Sequence, residues 1–182
     1  MMAWPMPPTA GFAPRRADWR FLFEHPAHPI ALGFGSGLAP WGAGTVGTLL
    51  GWALFVLLQP WLSDWQWALL LALSFVVGWW ACTRSAQALR QSDPGAIVWD
   101  EVLGIWVVLW LVMPTDWLGQ LAAFALFRLF DIAKPGPEAW ADGLFKARAG
   151  EAIGAKQGMG ILLDDLVAAL CALLVIALWR LS

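Results

Sequence analysis

Gly33-Phe34-Gly35-Ser36-Gly37-Leu38-Ala39-Pro40-Trp41-Gly42-Ala43-Gly44-Thr45-Val46-Gly47 is the stretch from which the fold is read. Six of its fifteen residues are glycine, and Ser36 and Thr45 add hydroxyls. Glycine admits positive φ and close approach of other groups. Successive N–H groups in such a loop form a concave nest suited to an anion. The apolar run Thr45–Leu62 starts inside the stretch, so the loop opens a helix. A helix N-terminus adds partial positive charge and free donors. Two readings stand side by side. One is a phosphate cradle built from Gly35, Ser36, Gly37, Gly44 and Thr45. The other is a plain lead-in to a membrane helix, where glycine is common. No Gly-Lys-Ser/Thr follows, which excludes a Walker loop. The spacing Gly33-x-Gly35-x-Gly37, with no strand before it, excludes a dinucleotide fingerprint.

Working outward, composition points to the bilayer. The 182 residues are 60% hydrophobic and 13% charged, with 15 tryptophans and no tyrosine. Mean hydropathy is +0.65. Soluble domains run at about 45–50% apolar and about 25% charged, and tryptophan favours membrane–water interfaces. Five apolar segments are predicted helices: Thr45–Leu62, Trp65–Cys82, Ala96–Met113, Trp117–Phe130 and Met159–Leu181. The expected fold is all-α, an integral membrane protein of about five apolar helices. Residues 1–32, rich in proline and arginine, read as an N-terminal arm on the membrane surface or without structure. Residues 33–182 read as the helical membrane domain. Cys82 and Cys171 lie in apolar runs, so neither a disulfide framework nor a metal knuckle is expected.

Charge placement sets the topology. If all five segments cross, ten of the 11 basic residues fall on one side and only Arg180 on the other. The positive-inside rule makes the first side cytoplasmic. Asp64 and Asp116 then lie on the far side.

The same topology brings Asp100-Glu101, Asp131, Lys134 and Asp164-Asp165 to the depth of the glycine loop. An ionisable residue in an apolar segment is a functional hypothesis by default. Gathered carboxylates repel unless a cation joins them. Mg²⁺ takes oxygen ligands, commonly one or two carboxylates plus substrate phosphate. It polarises a phosphoryl oxygen and lowers the pKa of bound water. Asp100, Glu101, Asp164 and Asp165 are the candidate metal ligands, and Lys134 adds a cation for phosphate. Singly, each pair has a plainer reading. Asp100-Glu101 and Asp164-Asp165 can complement helix dipoles, and Asp131 can pair with Lys134 or Arg128. His25 and His28 fall in the arm and read as surface residues. No Cys-x5-Arg phosphatase loop follows either cysteine. Asp142-Gly143 begins like a CDP-alcohol phosphotransferase signature, but two of its later spacings fail. That enzyme class, and a non-catalytic transporter or assembly protein, are the alternative readings. No nucleic-acid partner is expected.

Four blocks, in this order, resemble the phosphatidylglycerophosphatase A family: GFGSGLAPWGAGTVGTLLG at 33–51, IVWDEVLGIW at 97–106, FRLFDIAKPGP at 127–137 and GMGILLDD at 158–165. The resemblance implies a helical, Mg²⁺-dependent enzyme of the bacterial inner membrane. Its partner is a phospholipid in the bilayer, phosphatidylglycerophosphate, from which it removes the terminal phosphate on the cytoplasmic side. It implies Asp100, Glu101, Asp131, Asp164 and Asp165 as the acidic site residues and Lys134 as the basic one. Asp142 also looks like an acidic position of the family.

Overall fold

The computed structural model describes residues 13–133 and 152–181. Among them the protein is all-α, with no strand. The helices are α1 (Trp19–Glu24), α2 (Ala27–Ala31), a 3-10 turn (Gly33–Leu38), α3 (Ala43–Leu58), α4 (Asp64–Leu89), α5 (Trp99–Val112), α6 (Trp117–Ala133) and α7 (Ala155–Leu181).

The short helix α5 is the axis of the bundle, with α3, α4, α6 and α7 packed around it. A helix enclosed on every side has no polar face to offer, and α5 accordingly buries Val102, Leu103, Ile105, Trp106, Val108, Leu109 and Val112. The helices approach closely where side chains vanish. A Cβ at Gly104 would stand 2.6 Å from the Phe127 ring and 3.4 Å from the Asp165 carbonyl oxygen. Glycine there lets α5 meet α6 and α7 together.

Tryptophan ties the helices across this core. The Trp106 indole donates to the Gly51 carbonyl at 2.8 Å, Trp99 to the Ser74 carbonyl at 3.1 Å, and Trp52 to the Gln120 side chain at 2.8 Å. Trp67 packs on Phe55 and on Trp106, with ring centroids 4.7 and 5.9 Å apart. Part of the tryptophan excess is therefore core. Another part, Trp19, Trp41, Trp61, Trp65, Trp117 and Trp179, is exposed near helix ends.

Of the five long helices, α4 and α7 are long and apolar enough to cross a membrane. Helices α3, α5 and α6 have 16, 14 and 17 residues, against about 20 for a full span. Against the expectation of about five membrane helices, the described residues hold two helices of spanning length and composition, with three shorter ones beside them. Helix α7 also starts four residues before its apolar run. The Gln157 side chain accepts from the Gly154 N–H at 2.8 Å and holds that first turn.

Residues 13–32, the described part of the N-terminal arm, carry two short helices. Asp18 caps α1 by accepting from the Phe21 N–H at 2.8 Å. Phe21, Leu22, Ala27, Ala31 and Leu32 are all buried, and α2 packs on α4. His28, expected at the surface, is only 3% exposed and stacks on Phe21 at 3.9 Å.

Burial lowers the His28 pKa to about 4, with the neighbouring His25 adding to the effect. An unfolded histidine titrates near 6.5. Below that value the unfolded chain takes a proton that the folded chain refuses until about pH 4. This group's stabilisation is therefore complete above about pH 6.5 and is lost as pH falls toward 4. Melting temperature measured from pH 7 to pH 5 should fall less in His28→Phe, which keeps the stacked ring, than in wild type. An identical slope in both would contradict this.

Candidate functional site

Asp100 and Glu101 occupy the first turn of α5. Asp165 projects from α7 about three turns after that helix begins. The Gly104 contact clamps the two helices together at this level. As a result, one carboxylate oxygen from each of Asp100, Glu101 and Asp165 lies within 4.8 Å of the other two. The sequence pattern singled out these three, and the fold brings them together. Asp164 is the adjacent half-buried residue on α7.

The group is electrostatically unstable alone. Two unit charges at that separation repel by at least about 3 kcal/mol at an effective dielectric of about 20. Three such pairs approach the whole stability of a typical domain, about 5–15 kcal/mol. Among the described residues, the cation beside the group is Arg128 of α6, whose Nη1 lies 3.8 Å from a Glu101 oxygen. Arg128 is also paired with Asp131, one turn further along α6. Asp100 Oδ1, Glu101 Oε2 and Asp165 Oδ2 are buried and accept no hydrogen bond. Buried orphan acceptors are rare in folded proteins. Three of them, all carboxylate oxygens and all in one place, fit a hard divalent cation with oxygen ligands. Asp100, Glu101 and Asp165 could therefore hold a metal ion.

The glycine loop divides into two parts. Gly35 and Gly37 belong to the 3-10 turn, where a Cβ would meet the Trp19 ring at 3.1 Å and the Ala96 carbonyl oxygen at 2.0 Å respectively. Ser36 Oγ is buried without a hydrogen-bond partner. Gly44 and Thr45 open α3 instead. A Cβ at Gly44 would stand 2.2 Å from Glu101 Oε1 and 3.2 Å from both terminal nitrogens of Arg128. The first turn of α3 thus lies directly against the carboxylate group. Lys134 and Asp142 lie outside the described residues.

Two residues join the site that residue patterns alone did not select. Arg128 reads in sequence as a counter-ion to Asp131. Thr48 reads as one more position in an apolar run, yet its hydroxyl donates to the Gly44 carbonyl at 2.8 Å and lies 3.4 Å from Arg128 Nη1. A signal for Arg128 existed: with Asp131 it is one of two charges in a largely apolar helix.

Residues 29–180 match the model of the family described as Phosphatidylglycerophosphatase A. A Haemophilus influenzae protein named Phosphatidylglycerophosphatase A is 38% identical over 152 residues, covering 84% of this chain and 87% of the relative. The Escherichia coli K12 protein of the same name is 36% identical over 155 residues, covering 84% and 82%. A Bacteroides thetaiotaomicron protein provisionally named a phosphatidylinositol-3-phosphatase is 37% identical over 157 residues, covering 83% and 91%. No solved structure matches the chain.

The close fit at Gly44 is testable by metal binding. Gly44→Ala must displace the Glu101 carboxylate or the start of α3. Mn²⁺ affinity, read by paramagnetic resonance, should weaken by at least about ten-fold, as when the support of a metal ligand is disturbed. Gly95→Ala, with nothing within 4 Å of its Cβ, serves as the control and should bind as wild type does. Unchanged affinity in Gly44→Ala would contradict the arrangement.

Proposed function

This chain belongs to the phosphatidylglycerophosphatase A family, and on that premise we propose that it hydrolyses the phosphomonoester of phosphatidylglycerophosphate to phosphatidylglycerol and inorganic phosphate. The observation that carries the reading is the group of Asp100, Glu101 and Asp165, each with a buried unpartnered carboxylate oxygen, set against the first turn of α3.

Asp100, Glu101 and Asp165 would hold Mg²⁺, with Asp164 beside them. When bound there, the ion supplies Lewis acidity to a phosphoryl oxygen and acidity to a coordinated water. The free N–H groups at the start of α3, around Gly44 and Thr45, receive the phosphate oxygens. Lys134 follows Asp131 closely in the chain and adds positive charge in the same reading. A carboxylate of the group accepts the proton that the attacking water loses. The bond from phosphorus to the glycerol oxygen then breaks, and that oxygen regains a proton. Burial of the group keeps bulk water from dispersing these interactions.

Several features support a multi-pass protein of the inner membrane with its site on the cytoplasmic side. Helices α4 and α7 have spanning length and composition. Exposed apolar residues such as Leu57, Leu73, Val76, Leu174 and Leu178 coat the outside of α3, α4 and α7. Exposed tryptophans sit near both ends of the bundle, as in interfacial belts. In the five-segment topology read from the sequence, ten of the 11 basic residues fall on the side of the acidic residues. An apolar groove of about 730 Å³ runs along α3 from Leu49 to Trp61, where an acyl chain can lie while its headgroup reaches the first turn.

Phosphate release in mixed micelles with Mg²⁺ tests the reading. Phosphatidylglycerophosphate should be strongly preferred over water-soluble glycerol phosphate and over a phosphatidylinositol phosphate. Asp100→Asn and Asp165→Asn should each lose at least about 100-fold in rate, the scale of removing a main catalytic group. Equal turnover of the soluble ester, or full activity in both variants, would contradict it. Release of phosphate also separates this reading from a phosphotransferase or a transporter.

A further inference from the structure

We propose that Arg128 is the phosphate-recognising cation of the site, binding the substrate phosphomonoester through the Nε–Nη2 edge of its guanidinium while Asp131 holds the opposite corner; the proposal rests on the hydrolase reading above.

The two sides of this guanidinium are used differently. Its Nη1 is paired with Asp131, lies 3.4 Å from the Thr48 hydroxyl and stands 3.8 Å from Glu101. Its Nε is buried and has no hydrogen-bond partner. Among the described residues Nη2 donates no hydrogen bond either. An arginine that only neutralised the carboxylates would gain most by turning its whole fork onto one of them, since the bidentate pair is the strong arrangement. Here one nitrogen meets the acids and the remaining edge carries an unsatisfied buried donor, which is unfavourable unless an acceptor arrives. A group that keeps such a donor open is arranged for an acceptor that arrives later.

The edge left open has the chemistry of a phosphate site. Nε–H and Nη2–H are parallel donors, spaced for two oxygens of one phosphate. Both terminal nitrogens lie against Gly44, 3.2 Å from where its Cβ would be. The first N–H groups of α3 have no partner within the helix. A phosphomonoester dianion at that edge, beside the turn rather than between it and Arg128, meets a fork and a helix N-terminus together. Glu101, which touches the same spot, connects this place to the carboxylate group. Asp131 lies one turn beyond Arg128 on α6 and fixes Nη1, so it is a positioning residue that aims the open edge.

Binding of inorganic phosphate tests the assignment without needing turnover. Titration calorimetry of the purified protein with phosphate in Mg²⁺ should show one site. Arg128→Lys keeps the charge but cannot present a planar fork, and should weaken phosphate binding by at least about ten-fold. Its KM for phosphatidylglycerophosphate should rise, while Mn²⁺ affinity stays near wild type. Asp131→Asn should weaken phosphate binding in the same direction but less. Arg128→Gln combined with Asp131→Asn removes both charges of the pair, leaves neither alone in the interior, and should also lose phosphate binding while remaining folded by circular dichroism. Wild-type phosphate affinity in Arg128→Lys or in the double variant would overturn the proposal, as would the absence of phosphate binding in wild type. Failure of the hydrolase reading looks different: wild type would bind phosphate yet release none from the lipid.

Discussion

Three carboxylates share a buried space in which like charges cannot rest together, and close helix contact holds them there. Asp100 and Glu101 come from one helix and Asp165 from another. The absence of a side chain at Gly104 brings those helices into contact, and the absence of one at Gly44 lets the α3 turn approach from the third side. Packing energy from a core of valine, leucine and tryptophan around α5 offsets the repulsion. Such a site is ready for a cation because the protein has already met the electrostatic cost of assembling it.

The same constraint explains the asymmetry of the molecule. Polar function gathers at one end, where α5 and α7 bring their acids and α3 presents its first N–H groups. The middle is closed by indole-to-carbonyl hydrogen bonds such as those of Trp106 and Trp99. Indoles satisfy a backbone acceptor without bringing charge into the core. The outside is left apolar along α3, α4 and α7. A lipid phosphomonoester has the matching asymmetry, with a dianionic head and hydrocarbon chains that never need to leave the bilayer.

Much of this was legible in residue order. Asp100, Glu101, Asp164 and Asp165 stand out because ionisable groups in apolar runs are costly, and three of them do converge. The starts of α3 and α6 follow from the glycine loop and from Trp117. Other features required the third dimension. Gly35 and Gly37 share a loop with Gly44, yet the first two pack against Trp19 and Ala96 while Gly44 faces Glu101; spacing cannot tell packing glycines from site glycines. Helices α1 and α2 are too short, and too close to prolines, to leave a periodic signal. His28 reads as a surface residue because its burial comes from packing beyond its own helix: it stacks on Phe21 of α1, and α2 packs on α4. Arg128 was hidden by its neighbour Asp131, since a pair at i, i+3 is usually just a pair.

The claim on which the rest depends is that the Asp165 carboxylate contacts the metal used in hydrolysis. Replacing it with a softer ligand tests this directly, because thiolate selects soft cations over Mg²⁺. The measurement is the rate of phosphate release from phosphatidylglycerophosphate by Asp165→Cys in Mg²⁺ and in Cd²⁺, each relative to wild type. The expected result is near-complete loss in Mg²⁺ and a Cd²⁺-to-Mg²⁺ rate ratio at least about ten-fold above that of wild type. Wild-type activity in Mg²⁺, or an unchanged metal ratio, would contradict it.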